Sequence, residues 1–352
     1  MERSGTRSII FTIAFLTLTA AILLNGFVIF QGMQQAVKVC LETMIPSLYA
    51  MMILSNIFVT YGFHNVLGKL LKIPAKLISG CTGQVFAVFL FSQTAGYPVG
   101  AGMLLKMHEK GQLSKKQASL LSGVCFGGGP AFILSLFQNK KEDAAAVFLA
   151  GLLANFILFI FICPIAKTKA NTYSSSEIQN DPYFSLSDSI TNAASESARA
   201  LLKICAMIVM FGGITSLIKH YLGNNISGSF YIDTGFSFLE ISHVTNLFPY
   251  SANTLPFIGA ALSFGGICVL MQLAAVTKGK INIITVLIIR LAASALTWII
   301  LYLRKFIEPV QSEAAAALWN ASSAQIRSYS PVPSLCLLAM TFILIASTEK
   351  KN

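Results

Sequence analysis

Charge is what this chain has least of: 11% of its 352 residues are Asp, Glu, Lys or Arg, against roughly 25% in an average soluble domain. With 55% hydrophobic residues and a mean hydropathy of +0.70, the sequence reads as an all-α polytopic membrane protein rather than a soluble one. The seven cysteines at 40, 81, 125, 163, 205, 268 and 336 form no CxxC pair and no Cys/His cluster with metal-ligand spacing, so they read as reduced packing residues. A nucleophile–base pair, a metal motif and a phosphate loop are missing too, and an enzyme is not expected. The net charge of +11 comes without a basic patch interleaved with aromatics in a soluble segment, which argues against nucleic acid. In a membrane protein such an excess marks cytoplasmic loops facing anionic headgroups.

What is present is a series of apolar runs. Eight are long enough to span, at about 20 residues each: 9–30, 39–61, 117–137, 144–166, 200–218, 254–277, 281–303 and 331–347. The first follows Arg3 and Arg7 and, at about 22 residues, exceeds a signal-peptide core. Two more stretches, 77–105 and 232–252, are interrupted by SQTAGYP and by LEISHVTN with Pro249. If both are re-entrant hairpins and the N-terminus is inside, seventeen Lys and Arg fall inside and seven outside, Lys38 among the latter, with Arg290 within a span. A crossing at 77–105 would instead separate the two densest basic loops, Lys69–Lys76 and Lys106–Lys116. The hairpin arrangement therefore obeys the positive-inside rule better. Irregular backbone at membrane depth survives only where protein buries it or water reaches it, so each hairpin tip implies a cavity.

The organisation that follows is an N-terminal helix (1–38), a first repeat (39–166), a polar cytoplasmic linker (167–199), a second repeat (200–303) and an external loop with a last helix (304–352). The linker is expected to hold an amphipathic helix at 186–199, and the segment EAAAALW favours a short helix within 304–330. The two repeats share Cys-Phe-Gly-Gly at 125–128 and Ser-Phe-Gly-Gly at 263–266, each after a hairpin and inside a span. Such a pair suggests an inverted-topology repeat with discontinuous helices, although close helix packing also explains glycines in a membrane segment.

Chemistry is expected at these interruptions. At the first tip, Gln93 and Thr94 can donate to an oxygen, Gly96 admits a ligand to the backbone, and Pro98 beside Tyr97 opens a half-helix whose N–H groups would attract an anion. Gly127, Gly128 and Gly129 before Pro130 repeat that pattern. Around the second tip cluster Glu240, Ser242, His243, Thr245 and Asn246; an ionisable residue at such depth reads as functional, with Glu240 suited to a coupling proton or a cation such as Na+. Gln272, one turn past the second Phe-Gly-Gly element, is a further candidate. Arg290, central in INIITVLIIRLAASALTWIIL, would cost at least ~2.5–3.5 kcal/mol facing lipid. It should therefore point inward, toward Glu240 or an anionic substrate. No other cofactor is expected.

The ordered set ETMIPSLYAMMILSNIF (42–58), GYPVGA (96–101), KMHEKGQLSKKQAS (106–119), GGGPAFI (127–133), LEISHVT (239–245) and SFGGICVLMQ (263–272) resembles the nucleoside-recognition, or Gate-domain, membrane proteins. Within that family it is most similar to the sporulation integral membrane proteins of spore-forming Firmicutes. The resemblance covers most of 36–300 and departs from the family pattern where Gly127 and Gly128 stand in place of Asn. It implies a fold like concentrative nucleoside transporters, residence in a bacterial cell membrane such as the outer forespore membrane, and movement of a small anionic solute, dipicolinate first. A nucleoside or nucleobase transporter is the alternative. A non-transporting assembly factor working with other sporulation membrane proteins, or as a homo-oligomer, is the third.

Overall fold

The computed structural model describes residues 12–137 (14 and 18 excepted), 140–166, 186–222, 230–247 and 250–304 (252 excepted). The span expected at 331–347, the helix expected within 304–330, the linker up to 185 and Pro249 lie outside the described residues. Among those described, every regular element is a helix.

The first long element is α1 (Gly26–Val39), a π-helical turn (Cys40–Met44) and α2 (Ile45–Thr60) in unbroken succession. The widened turn has a local cause. Pro46 has no N–H to donate and its ring crowds the carbonyl four residues back, so the backbone opens just ahead of it. Here the structure departs from the sequence reading. A connection was expected between the spans 9–30 and 39–61, with Lys38 in an outside loop, yet 31–38 is helical. The segment QGMQQAVK offers one Gly, no Pro and mostly strong helix formers, so nothing in it turns the chain.

After α2 come α3 (Phe63–Leu70), α4 (Lys72–Ser79), α5 (Gly83–Ala95), α6 (Val99–Glu109), α7 (Lys115–Val124) and α8 (Pro130–Phe137). Then follow α9 (Lys141–Ala166), α10 (Leu186–Leu222), α11 (Phe230–Leu239), a 3-10 turn (Ile241–Leu247), α12 (Leu255–Phe264), α13 (Ile267–Thr277) and α14 (Ile283–Arg304). The helix expected at 186–199 and the span expected at 200–218 form one continuous rod, α10. Five helices are long and apolar enough to cross a bilayer among the described residues, or six if the bent pair α4–α5 is one span. The chain is a multi-pass, all-α membrane protein.

α10 packs antiparallel along α1 and α2. Asn25 Nδ2 bonds Tyr221 Oη at 2.8 Å, Cys40 Sγ meets the Cys205 carbonyl, and Asn56 Nδ2 bonds Ser197 Oγ at 2.8 Å. Gly32, Ala36 and Gly212 allow the close approach, since a side chain on Gly32 or Gly212 would overlap the opposite helix. In this register Lys38 stands beside the middle of α10.

Polar contacts sort the connections to two ends. At one end Lys110 Nζ donates to the Val59 and Thr60 carbonyls, both at 3.0 Å, capping the last turn of α2. His64 Nε2 lies 3.1 Å from Gln112 Oε1, Lys106 pairs with Glu196 at 2.8 Å, and Lys280 pairs with Glu109 at 2.6 Å. At the other end Asp143 meets Arg304 at 3.6 Å and Tyr250 Oη at 2.6 Å, while Lys219 meets Asp233 at 3.1 Å. The chain between Thr60 and Lys110 therefore leaves and regains a single end of the bundle.

Candidate functional site

Both Phe-Gly-Gly elements fall at helix breaks. α7 stops at Val124 and α8 resumes at Pro130; α12 stops at Phe264 and α13 resumes at Ile267. At the second break Gly265 and Gly266 have φ of +89° and +87°, a region that L side chains enter only under strain.

Arg290 on α14 joins the two breaks. It is 0% exposed. Its Nη1 donates to the Gly123 carbonyl at 2.9 Å and to Asn155 Oδ1 at 2.7 Å; its Nη2 donates to the Ser263 carbonyl and, at 3.1 Å, to Ser263 Oγ. The guanidinium carbon stands 5.7 Å from the centre of the Phe126 ring. Gly123 and Ser263 lie in the last turns of α7 and α12, where carbonyls have no intrahelical partner and the helix dipole is negative. Two helix ends of roughly half a charge each oppose one guanidinium, so a cation sits in the core with no carboxylate beside it among the described residues. Glu240, one of the two partners expected for Arg290, is not among the residues it bonds.

Gln93 extends the network. Asn155 Nδ2 donates to Gln93 Oε1 at 3.0 Å, and Gln93 Nε2 donates to the Val124 carbonyl at 3.2 Å. Asn155 therefore ties the end of α5 to Arg290. The sequence reading missed it, although a lone Asn within the apolar run AGLLANFILF is the signal that would have found it. Gln93, Gly127, Gly128, Asn155, Ser263 and Arg290 line a cavity of about 20 Å³, room for a single water.

Gly96 follows, at φ +78°, and faces Gly129 so closely that a Cβ on Gly96 would stand 3.0 Å from the Gly129 nitrogen. Tyr97, before a cis Pro98, stacks on Phe126 at 5.3 Å and meets Phe132 edge-on at 6.2 Å. Only 6% of it is exposed, and its hydroxyl has no hydrogen-bond partner among the described residues.

The second interruption reaches the same locus from another side. Glu240, 2% exposed, accepts from the Ser242 backbone N–H at 3.0 Å and from Ser242 Oγ. The backbone of Leu239–Ile241 lies against Gly266, where a Cβ would approach the Ile241 nitrogen to 3.3 Å. Tyr97 in turn touches the neighbouring Gly265. The turn at 96–97, the turn at 239–241 and both breaks thus meet around Phe126, Tyr97 and Gly265–Gly266.

Most of the other candidates make local contacts. Thr94 is exposed and bonds back to the Phe91 carbonyl; Thr245 is exposed and bonds the Ser242 carbonyl. His243 Nε2 lies 2.9 Å from Thr215 Oγ1 on α10. Gln272 is buried and donates to Cys268 Sγ at 3.2 Å. Asn246 lies in the 3-10 turn. No group of three His, Cys, Asp or Glu able to hold a metal occurs among the described residues.

No family model matches the chain, and no solved structure matches it. Among curated proteins, the sporulation integral membrane protein YlbJ of Bacillus subtilis (strain 168) is 25% identical over 146 residues, 40% of this chain. The matched stretch spans 36% of that relative's length. The similarity agrees with the resemblance to sporulation membrane proteins read from the sequence motifs.

Proposed function

We propose that the chain carries a small organic anion across a membrane during sporulation, with dipicolinate the first substrate to test. One observation supports this reading above the rest: two broken helices and the end of α5 meet at a buried guanidinium that has no carboxylate beside it among the described residues. Broken helices bring unpaired backbone groups to a common point, which is how secondary transporters build solute sites from little side-chain chemistry. The similarity to the sporulation protein of Bacillus subtilis supplies the link to sporulation. Glu240, buried and bonded through its carboxylate to Ser242, is the residue suited to exchange a proton as the site opens.

A cavity of about 20 Å³ is far smaller than the several hundred Å³ of a ligand site, so transport requires the halves to part. The same tightness favours a second reading, a membrane assembly factor that carries no solute. Uptake of radiolabelled dipicolinate into proteoliposomes decides between them. Saturable uptake, reduced at least tenfold by Glu240→Ala, is expected of a transporter; competition by uridine but not dipicolinate points to a nucleoside carrier; no saturable uptake of either overturns transport.

A further inference from the structure

The helices α3 and α4 invert the usual amphipathic pattern. Backbone hydrogen bonds run through Leu71 (Leu71 N to Leu67 O, Ala75 N to Leu71 O), so Phe63 to Ser79 form a nearly continuous surface helix. Its inward face is small or polar: His64, Gly68, Ala75 and Ser79 are buried. Its outward face is large and apolar, with Phe63, Val66, Leu70, Ile73 and Leu77 recurring at alternating intervals of three and four. Leu70 is 75% exposed, Ile73 72% and Leu77 80%. Beside that stripe run Lys69, Lys72 and Lys76, each one residue before a stripe member and all exposed.

Water does not suit five such side chains, and the hydrocarbon core does not suit the lysines, at ~2.5–3.5 kcal/mol each near the bilayer centre. The one environment that accepts both is the boundary between acyl chains and headgroups. The backbone direction agrees. α4 and α5 are bent by 86° to one another, so a helix lying flat in the boundary feeds α5 directly into the bundle.

We propose that Phe63–Ser79 is an interfacial helix that docks on anionic phospholipid headgroups of the leaflet in which the protein sits, the apolar stripe entering the acyl boundary and Lys69, Lys72 and Lys76 engaging the phosphates. Because α4 leads into α5, whose last turns carry Gln93, the lipid surface fixes the approach of the first hairpin to the central network. This inference does not depend on whether the chain moves a solute.

The test uses the full chain in bilayers, with Leu77→Trp as reporter and Trp298→Phe and Trp319→Phe removing the native signal. Brominated phosphatidylcholine and brominated phosphatidylglycerol are compared as quenchers. Strong quenching by bromines high on the acyl chain is expected, with phosphatidylglycerol preferred by roughly fivefold per lysine, from ~1 kcal/mol each near the surface. The exposed triple variant K69Q/K72Q/K76Q should bring the two lipids to parity without loss of quenching. An unquenched reporter, maximal quenching at the bilayer centre (a broken span through 72–95), or a preference unchanged in the triple variant would each overturn the proposal. Photoactivatable phosphatidylglycerol crosslinked to unaltered protein gives a second readout, with adducts expected on 63–79; adducts confined to other segments count against it.

Discussion

Arg290 shows how a single residue can hold a core together without an opposite charge. Its four hydrogen bonds end on two helix termini and one Asn. Arg290→Ala strands these acceptors at ~1–3 kcal/mol each where water cannot follow, so a large fall in the thermal midpoint of the purified protein is expected. Arg290→Lys should rescue little, because an ammonium cannot present a planar fork to both breaks at once. A second residue-scale expectation concerns His64, which is fully buried beside Gln112 and the Phe58 carbonyl, outside the spans. Burial pulls its pKa below the ordinary 6.5. The folded state therefore keeps the ring neutral while the unfolded chain protonates near 6.5. Stability is full above that value and is lost as pH falls through it, until the folded ring itself takes a proton. Thermal melts from pH 8 down to 5 should show this decline, and His64→Gln should flatten it.

At the scale of elements, glycine contacts set where helices cross. Gly68 of α3 and Gly83 of α5 approach backbone to backbone, and a Cβ on Gly83 would overlap the Gly68 carbonyl oxygen. No flexible side chain is available to give way. Gly83→Ala should cost about 1–3 kcal/mol and lower the yield of folded protein, measured by fluorescence-detected size exclusion after heating; unchanged stability would mean the two helices are not so close. The helix breaks at GGGP and FGG were legible in the sequence because glycine and proline punctuate an apolar run. The continuity of α1 with α2 was not. Hydropathy divides 9–61 into two runs around the polar QGMQQAVK, but polarity does not turn a backbone that keeps its helix formers. The partners of Arg290 were illegible for a different reason: carbonyls at helix ends carry no letter of their own, and sequence offers only an acidic residue such as Glu240 or an anionic substrate in their place.

Across the described residues, α9, α10 and α14 each run between the end that holds the pairs Lys106–Glu196 and Lys280–Glu109 and the end that holds Arg304–Asp143 and Lys219–Asp233. In a cysteine-free background, Lys72→Cys and Lys106→Cys should label from one face of sealed vesicles and Lys140→Cys from the other. Lys38→Cys, level with the middle of α10, should resist an impermeant reagent from both faces. Labelling of Lys72→Cys and Lys106→Cys from opposite faces would break this arrangement. Polytopic architecture was readable from apolar length, and the helix breaks were readable from glycine and proline within apolar runs. Distances within the site depended on long-range packing that local pattern does not encode.

One guanidinium stitched to the ends of α7 and α12 has a mechanical corollary. Neither half-helix can slide or tilt independently unless a hydrogen bond tears in a place that offers no replacement. The two Phe-Gly-Gly joints are riveted into a single moving part, and any rearrangement of one is felt at once by its twin.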